Sequence, residues 1–110
     1  LQLQPNRAAG LSPTSVTLAL ARLAAALKEV RGFSFIHGSD RGPYINYMFT
    51  TQRPARVWRA LKARALGHRR IGPRLRRASI VTCQGSRGWS NYLLLHHFDA
   101  AQPVDSLPGV

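Results

Sequence analysis

Four histidines, one cysteine and four carboxylates are all that this 110-residue chain offers for proton transfer, nucleophilic attack or metal binding. His96 and His97 are adjacent, and neighbouring residues on a regular strand point to opposite faces, so the two cannot ligate one ion. Cys83, His37 and Asp99, the further donors that zinc or iron would need, stand at no recognised ligand spacing. Glu29, Asp40, Asp99 and Asp105 are too dispersed along the chain for paired acid–base work or for magnesium. Cys83 falls inside the strand-like run SIVTCQ, where a small buried residue is the ordinary reading and no activating base is in view. GSDRGP and GSRG read as hairpin turns, because both lack the Lys-Ser/Thr pair and following helix of a phosphate-binding loop. One enzymatic reading withstands the shortage of acids. A metal-independent ribonuclease would move protons with His37, His96 or His97, or with Tyr47 or Tyr92, and would stabilise phosphate charge with Arg87. Nothing in the spacing demands it. The chain reads as a non-enzyme, with no catalytic residue, metal or cofactor expected.

Charge is the stronger chemical signal. The formal net charge is +12, and its location is informative. Residues 1–40 and 99–110 hold four bases (Arg7, Arg22, Lys28, Arg31) and four acids, which cancel. Residues 41–98 hold twelve bases and no acid, so the whole net charge falls there. Ten of the twelve are Arg53, Arg56, Arg59, Lys62, Arg64, Arg69, Arg70, Arg74, Arg76 and Arg77; the others, Arg41 and Arg87, lie in two hairpin turns. A GC-rich gene accounts for arginine in place of lysine, but not for the missing acids. Such a block attracts a polyanion or an acidic protein. Single-strand recognition adds aromatic platforms to a cationic track, and Tyr44 and Trp89 are the candidates for stacking.

The elements that carry these residues follow from periodicity and from helix and turn signals. Residues 1–11 read as a mobile arm without periodicity. SPTSVTLALARLAAALKEVRG is a helix, with Ser12 as N-cap, Pro13 at its first position and Gly32 beyond its end. Val16, Leu20, Leu23, Leu27 and Val30 form one apolar stripe along it. FSFIHG and YINYMFT are the arms of a hairpin turning at SDRGP. On its second arm Tyr44, Asn46 and Met48 share one face, and Ile45, Tyr47 and Phe49 the other. TQRPARVWRALKARALG is a second helix whose Pro54, Val57, Trp58, Leu61 and Ala65 make a buried strip while the remaining circumference is cationic. HRRIGPRLRRA reads as a basic connector broken at Gly72-Pro73. SIVTCQ and WSNYLLLHHF form a second hairpin, and the proline-containing end, residues 99–110, is a flexible tail.

The hairpins echo one another at an offset of 45, where Ser34, Asn46 and Tyr47 recur as Ser79, Asn91 and Tyr92. This suggests a two-layer α+β domain over residues 12–98, built from an internal αββ repeat. The expected architecture is α-β-β-α-β-β, a four-stranded antiparallel sheet with two helices on one face. The opposite sheet face would then be open, available for a homodimer. With one cysteine, no basic group ahead of a sustained apolar stretch and no membrane-length apolar run, a cytoplasmic protein without membrane contact is expected. The function that fits is a small basic binding module contacting nucleic acid through the arginine-rich helix and connector. A protein-interaction module of inhibitor or immunity type, facing an acidic partner, is the second reading, and the ribonuclease the third.

Overall fold

A computed structural model describes residues 1–84 and 91–107. In chain order the elements are strand β1 (Gln2–Leu3), helix α1 (Pro13–Ala26), strands β2 (Val30–Gly38) and β3 (Tyr44–Thr51), helices α2 (Pro54–Leu61) and α3 (Gly72–Ala78), and strands β4 (Ser79–Gln84) and β5 (Tyr92–His96). A 3-10 turn occupies Pro5–Arg7, and α2 runs on as one π-helical stretch over Lys62–Leu66. The strands form one antiparallel sheet of order β2-β3-β1-β4-β5.

Among the described residues the sheet has five strands where four were expected, and the fifth comes from the segment expected to be a mobile arm. Leu1-Gln2-Leu3-Gln4 alternates apolar and polar residues, the signature of a half-buried strand. β1 pairs with β3 on one side (Gln2 with Asn46, Leu3 with Ile45) and with β4 on the other (Gln2 with Ile80, Leu3 with Ser79). Leu3 is fully buried at the centre of the core. Gln2 points to the opposite face, where its amide donates to Asn46 Oδ1 at 3.1 Å. A two-residue strand has little stability of its own; here it is held by ladder bonds on both edges.

Among the described residues the helices number three rather than two. Ser12 caps α1 as expected, accepting from the Ser15 N–H at 3.2 Å, and Val16, Leu20 and Leu23 are buried in one stripe. The helix ends at Ala26, so Val30 begins β2 instead of closing the stripe. The connector becomes α3 because the Gly72-Pro73 step starts a helix there. Proline is tolerated in a first turn, where its missing N–H has no helical partner to lose. Gly72 itself is required by close approach, since a Cβ there would lie 2.6 Å from the Leu66 carbonyl oxygen. Leu75 and Ala78, three residues apart on α3, are both fully buried.

One core joins all three helices to one sheet face, through Leu3, Ile45, Tyr47, Val81 and Leu95 below and Val16, Leu20, Val57, Trp58, Leu61 and Leu75 above. Tyr47 carries the largest fully buried side chain. Its hydroxyl meets Thr17 Oγ1 at 2.5 Å, and because Thr17 donates to the Pro13 carbonyl at 3.0 Å, the tyrosine is the donor to Thr17. The face of Ile36, Met48 and Tyr92 is left open, and these side chains are exposed.

The two hairpins do not pair alike. Phe35 stands opposite Tyr47 in the first, so an offset of 45 would set Ile80 opposite Tyr92 in the second. Tyr92 instead faces Gln84. Tyr47 is buried and Tyr92 is 59% exposed, so the matched letters occupy different environments. β5 also carries a bulge: Val81 pairs with His96 and Thr82 with Leu94, leaving Leu95 as the extra residue.

Candidate polyanion-binding surface

Packing and charge arrange the helical layer. On α2 the apolar strip Val57, Trp58 and Leu61 is spent on the core, which turns Arg53, Arg56, Arg59, Lys62 and Arg64 outward, all of them exposed. Arg69 and Arg70 follow in the link to α3, and Arg74, Arg76 and Arg77 occupy the outer side of α3 around buried Leu75 and Ala78. These ten bases of the block therefore share the helical layer.

Some of the ten are tied locally. Arg56 forms an ion pair with Glu29 at 3.6 Å, the Lys62 ammonium lies 5.6 Å from the Trp58 ring centroid, and the Arg76 guanidinium donates to the Leu66 carbonyl. The last contact satisfies one of the carbonyls left open where α2 ends. The remaining acids are engaged elsewhere. Asp105 accepts from the Leu94 N–H at 2.8 Å and Asp99 from the Ala101 N–H at 3.0 Å, both at the carboxyl-terminal edge of the sheet. Asp40 lies in the β2–β3 turn.

One concentration of cations joins residues distant in sequence. A cleft of about 360 Å³ is lined by Lys28, Glu29, Arg31, Gln52, Arg53 and Arg56. It forms because β2 begins where β3 ends, with Val30 opposite Thr51. Thr51 Oγ1 donates to the Glu29 carbonyl at 2.6 Å and accepts from the Arg53 N–H at 2.9 Å, so one side chain ties both rims together. Arg31 donates to Gln52 Oε1 at 3.2 Å across the cleft. Four cations thus surround one carboxylate. Sequence reasoning overlooked Lys28 and Arg31 because it cancelled them against four acids, of which only Glu29 lies in the cleft. A shallower depression of about 520 Å³, lined by Arg56, Arg59 and Glu29 among others, continues from it along α2.

Other proposed site residues do not join this surface. Arg41 is at the tip of the first hairpin, at the opposite end of β3 from the start of α2, with a left-handed φ of 57°. Tyr44 is on the open sheet face, away from the helices, and its ring lies across Gly38, the residue it pairs with. Arg87 and Trp89 lie outside the described residues. The stacking candidate that is described therefore stands on a different face from the helical cations.

The histidines and tyrosines named for a ribonuclease are also separated. His37 is on β2 and His96 on β5, opposite edges of a five-stranded sheet, which at 4.8 Å per strand puts them roughly 19 Å apart across it. The β5 bulge turns His96 inward, where its Nε2–H donates to the Arg76 carbonyl at 2.9 Å. Burial lowers the His96 pKa against the opposing pull of its hydrogen bond to the Arg76 carbonyl, and the charges of His97 and Arg76 add to the lowering. His97 Nδ1 accepts from the Asp99 N–H, and His68 Nδ1 from the N–H groups of Arg70 and Ile71. Tyr47 is enclosed by the core, and burial raises its pKa. Cys83 is half-buried with its thiol pKa raised by burial, the opposite of an activated nucleophile. Among the described residues, no three His, Cys, Asp or Glu side chains gather as a metal site. Nor is any described helix long and apolar enough to cross a membrane.

Comparison with family models, curated proteins and solved structures finds no match to this chain. The functional argument therefore rests on the surface itself.

Proposed function

We propose that this protein is a non-enzymatic binding module for nucleic acid, contacting phosphates through the cationic side of α2, the link to α3, and α3. The observation that carries the reading is the exposure of all ten bases from Arg53 to Arg77 on one layer, beside a cleft that adds Lys28 and Arg31. Like charges gathered on one layer repel one another over distances up to the Debye length, about 8 Å at physiological salt. A phosphate backbone relieves that repulsion and releases condensed counterions. The contacts are to phosphate, with no base-reading side chain assigned, so weak sequence preference is expected.

The test is a titration of labelled single-stranded RNA and of duplex DNA across a salt series. The Arg53→Gln, Arg64→Gln, Arg70→Gln triple variant serves as control. The logarithm of affinity should fall linearly with the logarithm of salt concentration, and the triple variant should flatten that slope by about 2 to 3 units on duplex DNA. Failure of both polymers to bind near physiological salt would refute the reading and leave an acidic protein as the partner to seek.

A further inference from the structure

The two edges of the sheet are finished differently. At β5 the chain returns along the strand: the Asp105 N–H donates to the Leu94 carbonyl at 2.7 Å, and the Asp105 carboxylate accepts from the Leu94 N–H at 2.8 Å. β2, the opposite edge, is nine residues long. Among the described residues, nothing bonds to its outer side along Phe33, Phe35 and His37. Sheets ordinarily protect such an edge with charges, proline or a covering segment. Residues 32–39 hold no Lys, Arg, Asp, Glu or Pro. Ser34, Phe35, Ile36 and His37 are exposed in succession, so both faces of the strand are uncovered there.

Backbone alternation identifies the groups left to pair. Tyr47 turns both of its backbone groups toward Leu1, at 2.9 and 2.7 Å. In an antiparallel ladder, a residue bonded to the strand on one side is not bonded to the strand on the other. Phe35 stands opposite Tyr47, so its N–H and C=O point away from β3, and those of Phe33 and His37, two residues to either side, do the same. A row of such groups is the template for strand addition.

Side chains and flanking charges specify the added strand. A second copy of β2, laid antiparallel with Phe35 opposite its own copy, sets Phe33 opposite His37 and Ser34 opposite Ile36. Every outward backbone group then has a partner, two bonds for each of the pairs formed by Phe33, Phe35 and His37. The exposed apolar side chains, Phe35 at 43% and Ile36 at 64%, meet across the axis: Phe35 directly and Ile36 diagonally, on opposite faces. Lys28, Glu29 and Arg31 flank one end of the strand, and Asp40 and Arg41 the other. The antiparallel register brings Arg31 to the end where Asp40 of the second copy lies, and Glu29 to that of Arg41. A parallel pair would set each charge beside its own copy.

We propose that the β2 edge is a self-association site, at which a second copy of this chain adds its own β2 antiparallel about a twofold axis through Phe35, joining two sheets into one. The axis stands perpendicular to the sheet, so the helices of both copies lie on one side of it. The pairing uses none of the ten bases of the helical layer and does not depend on how that layer is used.

Sedimentation equilibrium from about 1 to about 500 µM should show a monomer–dimer equilibrium, at a salt concentration high enough to screen the repulsion between two chains of net charge +12. Phe35→Pro removes an outward N–H and no bond to β3, and should raise the dissociation constant at least about tenfold. A second readout needs no substitution and decides the matter should that variant fail to fold. In the unaltered chain, the amides of Phe33, Phe35 and His37 should gain protection from hydrogen exchange as concentration rises, while those of Ser34 and Ile36, already bonded to β3, change little. A monomer at every concentration would overturn the proposal. A dimer that forms equally well with Phe35→Pro, or that leaves the amides of Phe33, Phe35 and His37 unprotected, would also overturn it, by placing the contact elsewhere, such as on the open sheet face.

Discussion

Lowering the pH from 8 to 6 should destabilise the 110-residue chain by about 2 kcal/mol through its amino terminus alone. Leu1 is half-buried as a residue, but its ammonium nitrogen sits against β3, hydrogen-bonded to the Tyr47 carbonyl at 2.9 Å. Burial there lowers the pKa from 8.0 to about 6. The sign follows from which state binds the proton more readily. At and above pH 8 the amine is increasingly neutral in both states, and the stability associated with the lowered pKa is present. As the pH falls toward 6 the unfolded chain takes up a proton that the folded chain resists, and that stability is lost. A two-unit pKa shift is worth about 2.7 kcal/mol in full, of which about 2 kcal/mol falls between pH 8 and pH 6, a large share of the 5 to 15 kcal/mol typical of a domain. Urea unfolding at pH 8, 7 and 6 measures the loss. Acetylation of the amino terminus removes the titration but keeps an N–H for the Tyr47 carbonyl. The acetylated chain should therefore lose less stability over this range by that amount, while retaining the contribution of His96, whose pKa is also lowered. Identical pH slopes for the free and acetylated chains would refute the placement of Leu1 in the sheet.

Leu3→Ala tests the central strand from its side chain. Leu3 is fully buried where both hairpins meet, so truncation should cost about 3 to 5 kcal/mol in urea unfolding, against a few tenths for a frayed arm. Gly72→Ala tests the start of α3. The new methyl would stand 2.6 Å from the Leu66 carbonyl oxygen, and displacing backbone should cost at least about 1 to 3 kcal/mol, read as a lower melting temperature, although alanine is the better helix former.

Long, strongly patterned elements were legible in the sequence, and elements defined by their neighbours were not. Ser12 and the Val16, Leu20, Leu23 stripe specify α1 from local chemistry. Val57, Trp58 and Leu61 do the same for α2, and the alternation of Tyr44 to Phe49 correctly separated the two faces of β3. β1 is different. Its four-residue alternation is too short to persist alone, and its place is set by edges supplied more than 40 residues later. At Gly72-Pro73 the same two residues that break a helix interior also suit a helix start; burial of Leu75 and Ala78 decides between them. The offset of 45 between the hairpins matched residue types while missing register, because the pairing in the second hairpin is set by different turn and bulge positions. Charge was misread for a related reason. Lys28 and Arg31 were balanced against acids by counting, yet Asp99 and Asp105 accept backbone hydrogen bonds at the other end of the chain, while both bases line the cleft beside Arg53.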